Sequence, residues 1–331
     1  MKIRFSSRYT HMPYDRQSPG RSARWGDVEF QINPDGVTEC DFWVVGDNLA
    51  RTERAICPPE NTIFVLWEPP SISGVFNSYD PRVLSQFGTI VACQRSDIQH
   101  PHILFTQQFH PWHVGQRREQ GKVVGYSMDY DYWCKLDPPP KKKLISVIAS
   151  GKNMCEGHRL RLEFARKLQD HFKDQIDWYG SGVREIPDKW DAIADYKYHV
   201  AIENSVVPHY WSEKFADPLL GWAMPVYYGC PLIGSYFPAG SHIAIDINDP
   251  AGAIRSIEQA VAENQYENSL PALREARERL LNRYNFFPAI IEICRSIDRG
   301  GKRRPVTLKH RFDSIASRVI RRVREYLPKG R

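Results

Sequence analysis

Between Tyr196 and Lys214 the chain reads YKYHVAIENS followed by VVPHYWSEK. The apolar run 199–202 has the look of a strand, and it delivers the polar triplet Glu203, Asn204 and Ser205 into a short loop. A helix is predicted over 212–223, opening with Ser212, Glu213 and Lys214 and continuing through Leu219, Leu220 and Trp222. In α/β sheets, ligands bind at such carboxyl ends of strands. Ser212 suits an N-cap, the first-turn amides of the helix attract anions, and Lys214 adds a full positive charge there. A phosphate or diphosphate is the guest these residue types suit.

Other stretches carry candidate chemistry of less specific kinds. The run Thr62 to Trp67 delivers Glu68, followed by Pro69, Pro70 and Ser71. Beside Trp67 and two prolines, partial desolvation would raise the proton affinity of Glu68 and suit it to general base work, although position alone fits a solvated strand-end carboxylate. After the predicted strand 144–149 come SGKNMCEGH and then a helical pattern containing Arg159 and Arg161. The segment lacks the upstream glycine of a P-loop. Asp129-Tyr-Asp131 has the D-x-D form used to hold Mn²⁺ and a nucleotide sugar, a pattern short enough to arise often by chance. The pair His110 and His113 has too few acidic or sulfur neighbours in sequence for zinc, and reads as a loop able to line an acceptor cleft.

The run 203–214 resembles the donor-binding motif of the α-1,3/1,4-fucosyltransferases, glycosyltransferase family 10, whose members read roughly F-E-N-S, a short gap, then Y-(I/V)-T-E-K. Glu203, Asn204, Ser205, Tyr210, Glu213 and Lys214 stand at the family spacing, and the chain departs at Ile202, Trp211 and Ser212. The resemblance extends through PVYYG at 225–229, PAGSHI at 238–243 and DWYG at 177–180, so that about 145–250 is covered. It implies a catalytic carboxylate at Glu68, from an E-x-P-S-like element, and a diphosphate contact from Arg161, seven residues before Leu168, with Arg159 as the fallback. It further implies a ribose contact for Glu213, donor contacts for Asn204 and Tyr210, and supporting roles for Glu203, Ser205 and Ser212.

The implied reaction is inverting transfer of fucose from GDP-fucose to a hydroxyl of a glycan acceptor, with an α-1,3 type linkage. The diphosphate already activates the sugar, so the site needs a base and cations rather than the paired carboxylates of a glycosidase. Two side-chain cations and helix amides can replace a metal, so no obligatory Mg²⁺ or Mn²⁺ is expected. The rival readings are a transferase for another GDP-sugar, and a non-catalytic glycan- or membrane-surface protein on the same fold.

The elements that must position these residues follow an α/β pattern. Short, mostly uniform apolar runs recur at 43–46, 63–67, 90–93, 144–149, 176–180, 199–202, 225–229 and 243–247, as expected of buried parallel strands. Helical patterns lie at 158–172, 212–223, 251–263 and 267–282. At 331 residues two domains are expected. With the resemblance, the expected architecture is GT-B, two Rossmann-like domains facing a central cleft: 1–136 on the acceptor side, the DPPPKKK segment 137–143 as linker, and 144–300 for the GDP-sugar. Residues near 284–300 are candidates to cross back to the first domain.

Residues 302–331 carry eleven Lys/Arg against two acids, within a formal net charge of +6 for the chain. From Phe312 the apolar residues Ile315, Ala316, Val319, Ile320, Val323 and Leu327 follow three- and four-residue steps, predicting a basic amphipathic helix within a 301–331 tail. Such a helix docks on the body or, through 309–327, touches an anionic membrane. No basic face elsewhere points to nucleic acid. The seven cysteines form no CxxC pair, and the start lacks the apolar centre of a signal peptide. The sequence therefore reads as cytoplasmic, at the inner face of a membrane if the tail binds it, with a cell-envelope glycan as acceptor.

Overall fold

A computed structural model of the chain describes residues 1–69, 80–94, 98–120, 122–149 and 156–310. The chain divides into two compact units, one formed by 1–15, 23–108 and the chain from 290 onward, the other by 16–22 and 109–289.

The first unit is built on strands β1 (Lys2–Ser7), β2 (Val28–Ile32), β3 (Phe42–Gly46), β4 (Glu53–Cys57), β5 (Thr62–Val65), β6 (Thr89–Ala92) and β7 (Ile103–Phe105). Six of these form a parallel sheet in the order β2-β1-β3-β5-β6-β7, extended at the β2 edge by the antiparallel pair Arg24–Trp25. β3, β5 and β6 are buried along their whole length, which is why they read as uniform apolar runs. β1 does not read that way, because Arg4, Ser6 and Ser7 are polar yet buried. Glu53 makes that possible: its Oε2 accepts from Arg4 Nη2 at 2.7 Å and from Ser6 Oγ at 2.8 Å.

The second unit holds β8 (Lys143–Ile148), α1 (Glu156–Phe172), β9 (Ile176–Tyr179), β10 (Tyr196–Ile202), α2 (Glu213–Leu220), β11 (Met224–Tyr228), β12 (Ile243–Ala244), α3 (Pro250–Ala262) and α4 (Leu270–Asn282). Its five-stranded sheet is entirely parallel, in the order β9-β8-β10-β11-β12, with β10 at the centre. Helices packed on these strands bury Phe164, Leu168, Phe215, Leu219, Ile257 and Leu273 in one core.

Two features of the organisation differ from the sequence-based expectation. The passage between units falls at 108–109, not at 137–143. Trp112, Val114 and Trp133 precede the DPPPKKK segment but are buried in the core of the second unit. That segment is itself tied down, since Lys141 Nζ donates to the carbonyls of Ala194 and Gly221 at 2.8 Å each and to that of Ile193 at 3.3 Å. Burial there lowers the Lys141 pKa to about 7. The chain returns to the first unit at 289–290, within α5 (Phe286–Ile297) and inside the 284–300 stretch expected to cross back. Residues 304–308 precede the predicted helix. They form β13 (Arg304–Leu308), which pairs antiparallel with β4 and buries Leu308. The amphipathic helix predicted from Phe312 lies outside the described residues.

Candidate functional site

The residues of the 203–214 motif converge at the carboxyl end of β10. Glu203 follows the last residue of that strand and is 1% exposed. Its carboxylate accepts from Ser212 N at 2.8 Å and from Ser212 Oγ at 2.8 and 2.9 Å, and Lys214 Nζ lies 3.2 Å from Oε2. Ser212 in turn caps α2, its Oγ accepting from Lys214 N at 3.3 Å. Glu203 thus fastens the loop and the helix start to the strand end. Gly229 gives it room: a Cβ there would lie 2.6 Å from Glu203 Cγ and 2.4 Å from the Tyr227 hydroxyl.

Trp211 and Tyr210 anchor the loop from its other side. Trp211 is buried among Phe215, Tyr236, Phe237 and Tyr284, with ring centroids 5.2 to 6.3 Å away. Its contribution is packing. Tyr210 is buried with the His110 ring edge-on at 5.8 Å.

Arg161 and Asn204 meet across the sheet edge. Arg161 rises from α1 and donates from Nη1 to Asn204 Oδ1 at 3.1 Å. The helix start presses on the same strand end, for a Cβ on Gly157 would come within 2.3 Å of the Asn204 carbonyl oxygen. Arg159 instead pairs with Glu163 at 2.8 Å on an exposed face. The geometry therefore favours Arg161 over Arg159 for a ligand at this edge. Ser205 follows Asn204 half-buried.

Arg161, Glu213 and Lys214 line a cavity of about 120 Å³ together with Lys189, His199 and Asp217. Burial alone would lift the Glu213 pKa, but Lys214, Lys189 and His113 beside it hold the carboxyl well below the usual carboxylate range. Burial alone would lower the Lys214 pKa, and Glu203 with Glu213 raise it above the ordinary lysine value. Glu213 and Lys214 are thus ionised at neutral pH. His199, buried beside Ser146 Oγ at 2.8 Å, is pushed down to about 3 by desolvation and by Lys189, and is neutral.

The sequence does not mark Lys189 or Asp217, and it reads His113 differently. Lys189 Nζ lies 2.9 Å from Asp217 Oδ2 and 3.4 Å from Glu213 Oε1, and His113 Nδ1 lies 3.6 Å from the same Glu213 oxygen. Asp217 had a local signal, one helical turn after Glu213 and on the same face. Lys189 had none. The 110–113 segment, expected to line an acceptor cleft, packs on Tyr210 and Glu213. Asp129 and Asp131 are engaged by backbone: Asp129 caps a short helix through Tyr132 N at 3.0 Å, and Asp131 accepts from Gly20 N at 2.8 Å. Among the described residues no group of three or more His, Cys, Asp or Glu is arranged to hold a metal ion.

Glu68 belongs to the first unit, just beyond β5 at the carboxyl edge of its sheet, and is half-buried. Its surroundings include residues that sequence reading missed, since β1 and β3 end at the same carboxyl edge of the sheet as β5. Arg8 Nε pairs with buried Asp47 Oδ2 at 2.7 Å, and the Arg8 guanidinium lies 4.7 Å over the Tyr9 ring. Tyr9 stacks on Trp67 at 5.9 Å. Burial, then Asp47, then Glu68 raise the Tyr9 pKa, which places the Glu68 charge within electrostatic reach of that phenol.

A family model, the C-terminal domain of glycosyltransferase family 10 (fucosyltransferase), matches residues 138–268. Residues 138–268 belong to glycosyltransferase family 10. The match contains β10, the Glu203 to Lys214 loop and α2. Among curated relatives, α-(1,3)-fucosyltransferase B of Drosophila melanogaster is 28% identical over 177 residues, 47% of this chain and 38% of that protein. GDP-fucose protein O-fucosyltransferase 3 of Danio rerio is 29% identical over 141 residues, 38% of this chain and 30% of that protein. The chain thus spans well under half the length of these relatives. A solved α1,3-fucosyltransferase shares the fold at 15% identity, covering 91% of this chain and 90% of its own, with a TM-score of 0.50. The fold is that of the GT-B glycosyltransferases.

Proposed function

We propose that the protein is an inverting fucosyltransferase that moves fucose from GDP-fucose to a hydroxyl of a glycan acceptor. The observation that carries this reading is the start of α2. Lys214, Glu213 and the capped helix amides stand at the carboxyl end of the central strand, within one cavity shared with Arg161. That is a site for a nucleoside diphosphate. The family match and the relatives' names supply fucose and GDP as the chemical class.

In this scheme Arg161 and Lys214 bind the diphosphate and stabilise the charge that develops on it as the C–O bond to fucose breaks. The amides at the start of α2 add their partial charges. Glu213 accepts hydrogen bonds from the ribose, Asn204 and Tyr210 contact the donor, and Glu203, Ser205 and Ser212 hold the loop that carries them. Glu68 takes the proton from the acceptor hydroxyl, whose oxygen attacks the anomeric carbon opposite the departing diphosphate and inverts it. An α-1,3 linkage follows the family reading, and a cell-envelope glycan as acceptor follows the cytoplasmic reading and the basic tail. A protein hydroxyl is the second acceptor class, suggested by the zebrafish relative's name.

Thermal unfolding with GDP, UDP and CMP, then with GDP-fucose against GDP-mannose, tests the donor without knowledge of the acceptor. Ligand at about 100 times its dissociation constant adds about 2.7 kcal/mol. Stabilisation by GDP and GDP-fucose is the expected result. A preference for GDP-mannose favours the other GDP-sugar reading, and no shift with any nucleotide favours a non-catalytic role. For the basic tail we propose contact with an anionic membrane surface at its cytoplasmic face. Liposome flotation of the chain with and without 311–331 tests that, equal lipid binding counting against it.

A further inference from the structure

Glu213 Oε1 has three nitrogen neighbours, and they are not equivalent. Lys214 Nζ, at 3.6 Å, is shared with Glu203 Oε2 at 3.2 Å. His113 Nδ1 is also at 3.6 Å, but burial lowers its pKa below the ordinary histidine value, so at neutral pH it brings no full charge. Lys189 Nζ, at 3.4 Å, is the cation whose other partner is fixed. Asp217 Oδ2 lies 2.9 Å from it, and Asp217 is 1% exposed on the first turns of α2, its Oδ1 accepting from His113 N at 3.1 Å.

The backbone of Lys189 is equally fixed. Asp188 Oδ1 accepts from Trp190 N at 2.9 Å, capping the short turn that begins at Lys189, and from Gly115 N at 2.8 Å. An arriving diphosphate competes with both carboxylates for Lys214 and would leave Glu213 facing added negative charge. Lys189 stays on Glu213 through that exchange, because a buried carboxylate on α2 holds it.

We propose that Lys189 is a positioning residue of the donor site: clamped on Asp217, it holds the Glu213 carboxylate in place to accept hydrogen bonds from the ribose of the bound nucleotide. The inference rests on the GDP-sugar reading above and extends it to a residue outside the 203–214 motif. It separates two jobs among the cavity's cations. Arg161 and Lys214 serve the phosphates, and Lys189 serves the residue that reads the sugar ring of the nucleoside.

The test measures the affinity of the full chain for GDP, 2′-deoxy-GDP, 3′-deoxy-GDP and GMP by calorimetry. Loss of a hydroxyl bonded to a carboxylate should weaken wild-type binding by about tenfold for at least one deoxy nucleotide. In Lys189→Met that penalty should nearly vanish while the ratio of GDP to GMP affinity stays as in wild type, and Lys189→Arg should restore it. Glu213→Gln should erase the same penalty, with no further change in the double variant Lys189→Met/Glu213→Gln. Asp217→Asn, which keeps the lysine but weakens its clamp, should give a partial loss and serves as the second probe should Lys189→Met fail to fold. Full ribose discrimination in Lys189→Met, or in Asp217→Asn, overturns the inference while leaving the donor site intact. Wild-type protein with no affinity for GDP overturns the underlying reading and this one with it.

Discussion

Two acidic residues separated by ten positions have opposite tasks at the strand end, and environment assigns them. Glu203 is closed off by Ser212 and Lys214, so its charge is spent on holding the loop. Glu213 keeps 15% side-chain exposure and faces the cavity. Lys214 links them, and Lys214→Ala should weaken GDP binding by about tenfold or more, since a charge-assisted contact to phosphate is lost; titration calorimetry reads this directly. Ser212→Ala removes the cap and should cost about 1 kcal/mol in stability, measured by denaturant unfolding. Glu68, on the other unit, should behave differently from both. Glu68→Gln should leave GDP affinity unchanged and abolish fucosyl transfer, and near-normal turnover in that variant would remove Glu68 from the mechanism.

At the scale of elements, the site depends on how closely α1 and α2 abut the end of β10. Gly157 sits where the Asn204 carbonyl would be 2.3 Å from any Cβ, and the obstacle is backbone, which cannot rotate away. Gly157→Ala must push α1 off the strand end and carry Arg161 away from Asn204. We expect a stability loss of about 1–3 kcal/mol from overpacking, together with weaker GDP binding. A variant with wild-type affinity and stability would show that the helix start yields freely. Trp211 serves the opposite end of the loop by filling a cluster of four aromatic rings, so the residue that departs from the usual motif aliphatic stabilises the motif's position through packing.

At the scale of the whole molecule, pH dependence follows from a histidine buried under the site. The native His199 pKa is depressed to about 3 from an ordinary value near 6.5, so between those values the unfolded chain binds a proton that the native state refuses. The His199 contribution is therefore undiminished above about pH 6.5 and falls on acidification by about 1.4 kcal/mol per pH unit. His199→Gln should flatten the slope of melting temperature against pH between about 6 and 4.5, and an unchanged slope would contradict the assignment.

What is local in the chain was legible from the residues alone. In the first sheet only β3, β5 and β6 were legible as apolar runs, because they are buried along their whole length, and the second sheet was legible at all five strands. The Glu203 to Lys214 motif was legible because one strand end, one loop and one helix start carry it. Tertiary structure alone decided what depends on partners far away in sequence. β1 is hidden in sequence because Glu53 satisfies its buried Arg4 and Ser6. The unit boundary moves to 108–109 because Trp112 and Trp133 pack into the second core ahead of the proline run. Lys189 joins the cavity beside Glu213 and Lys214 only because the fold brings its ammonium to Asp217 and Glu213, and no spacing along the chain encodes an ion pair between a turn and a helix that meet only after folding.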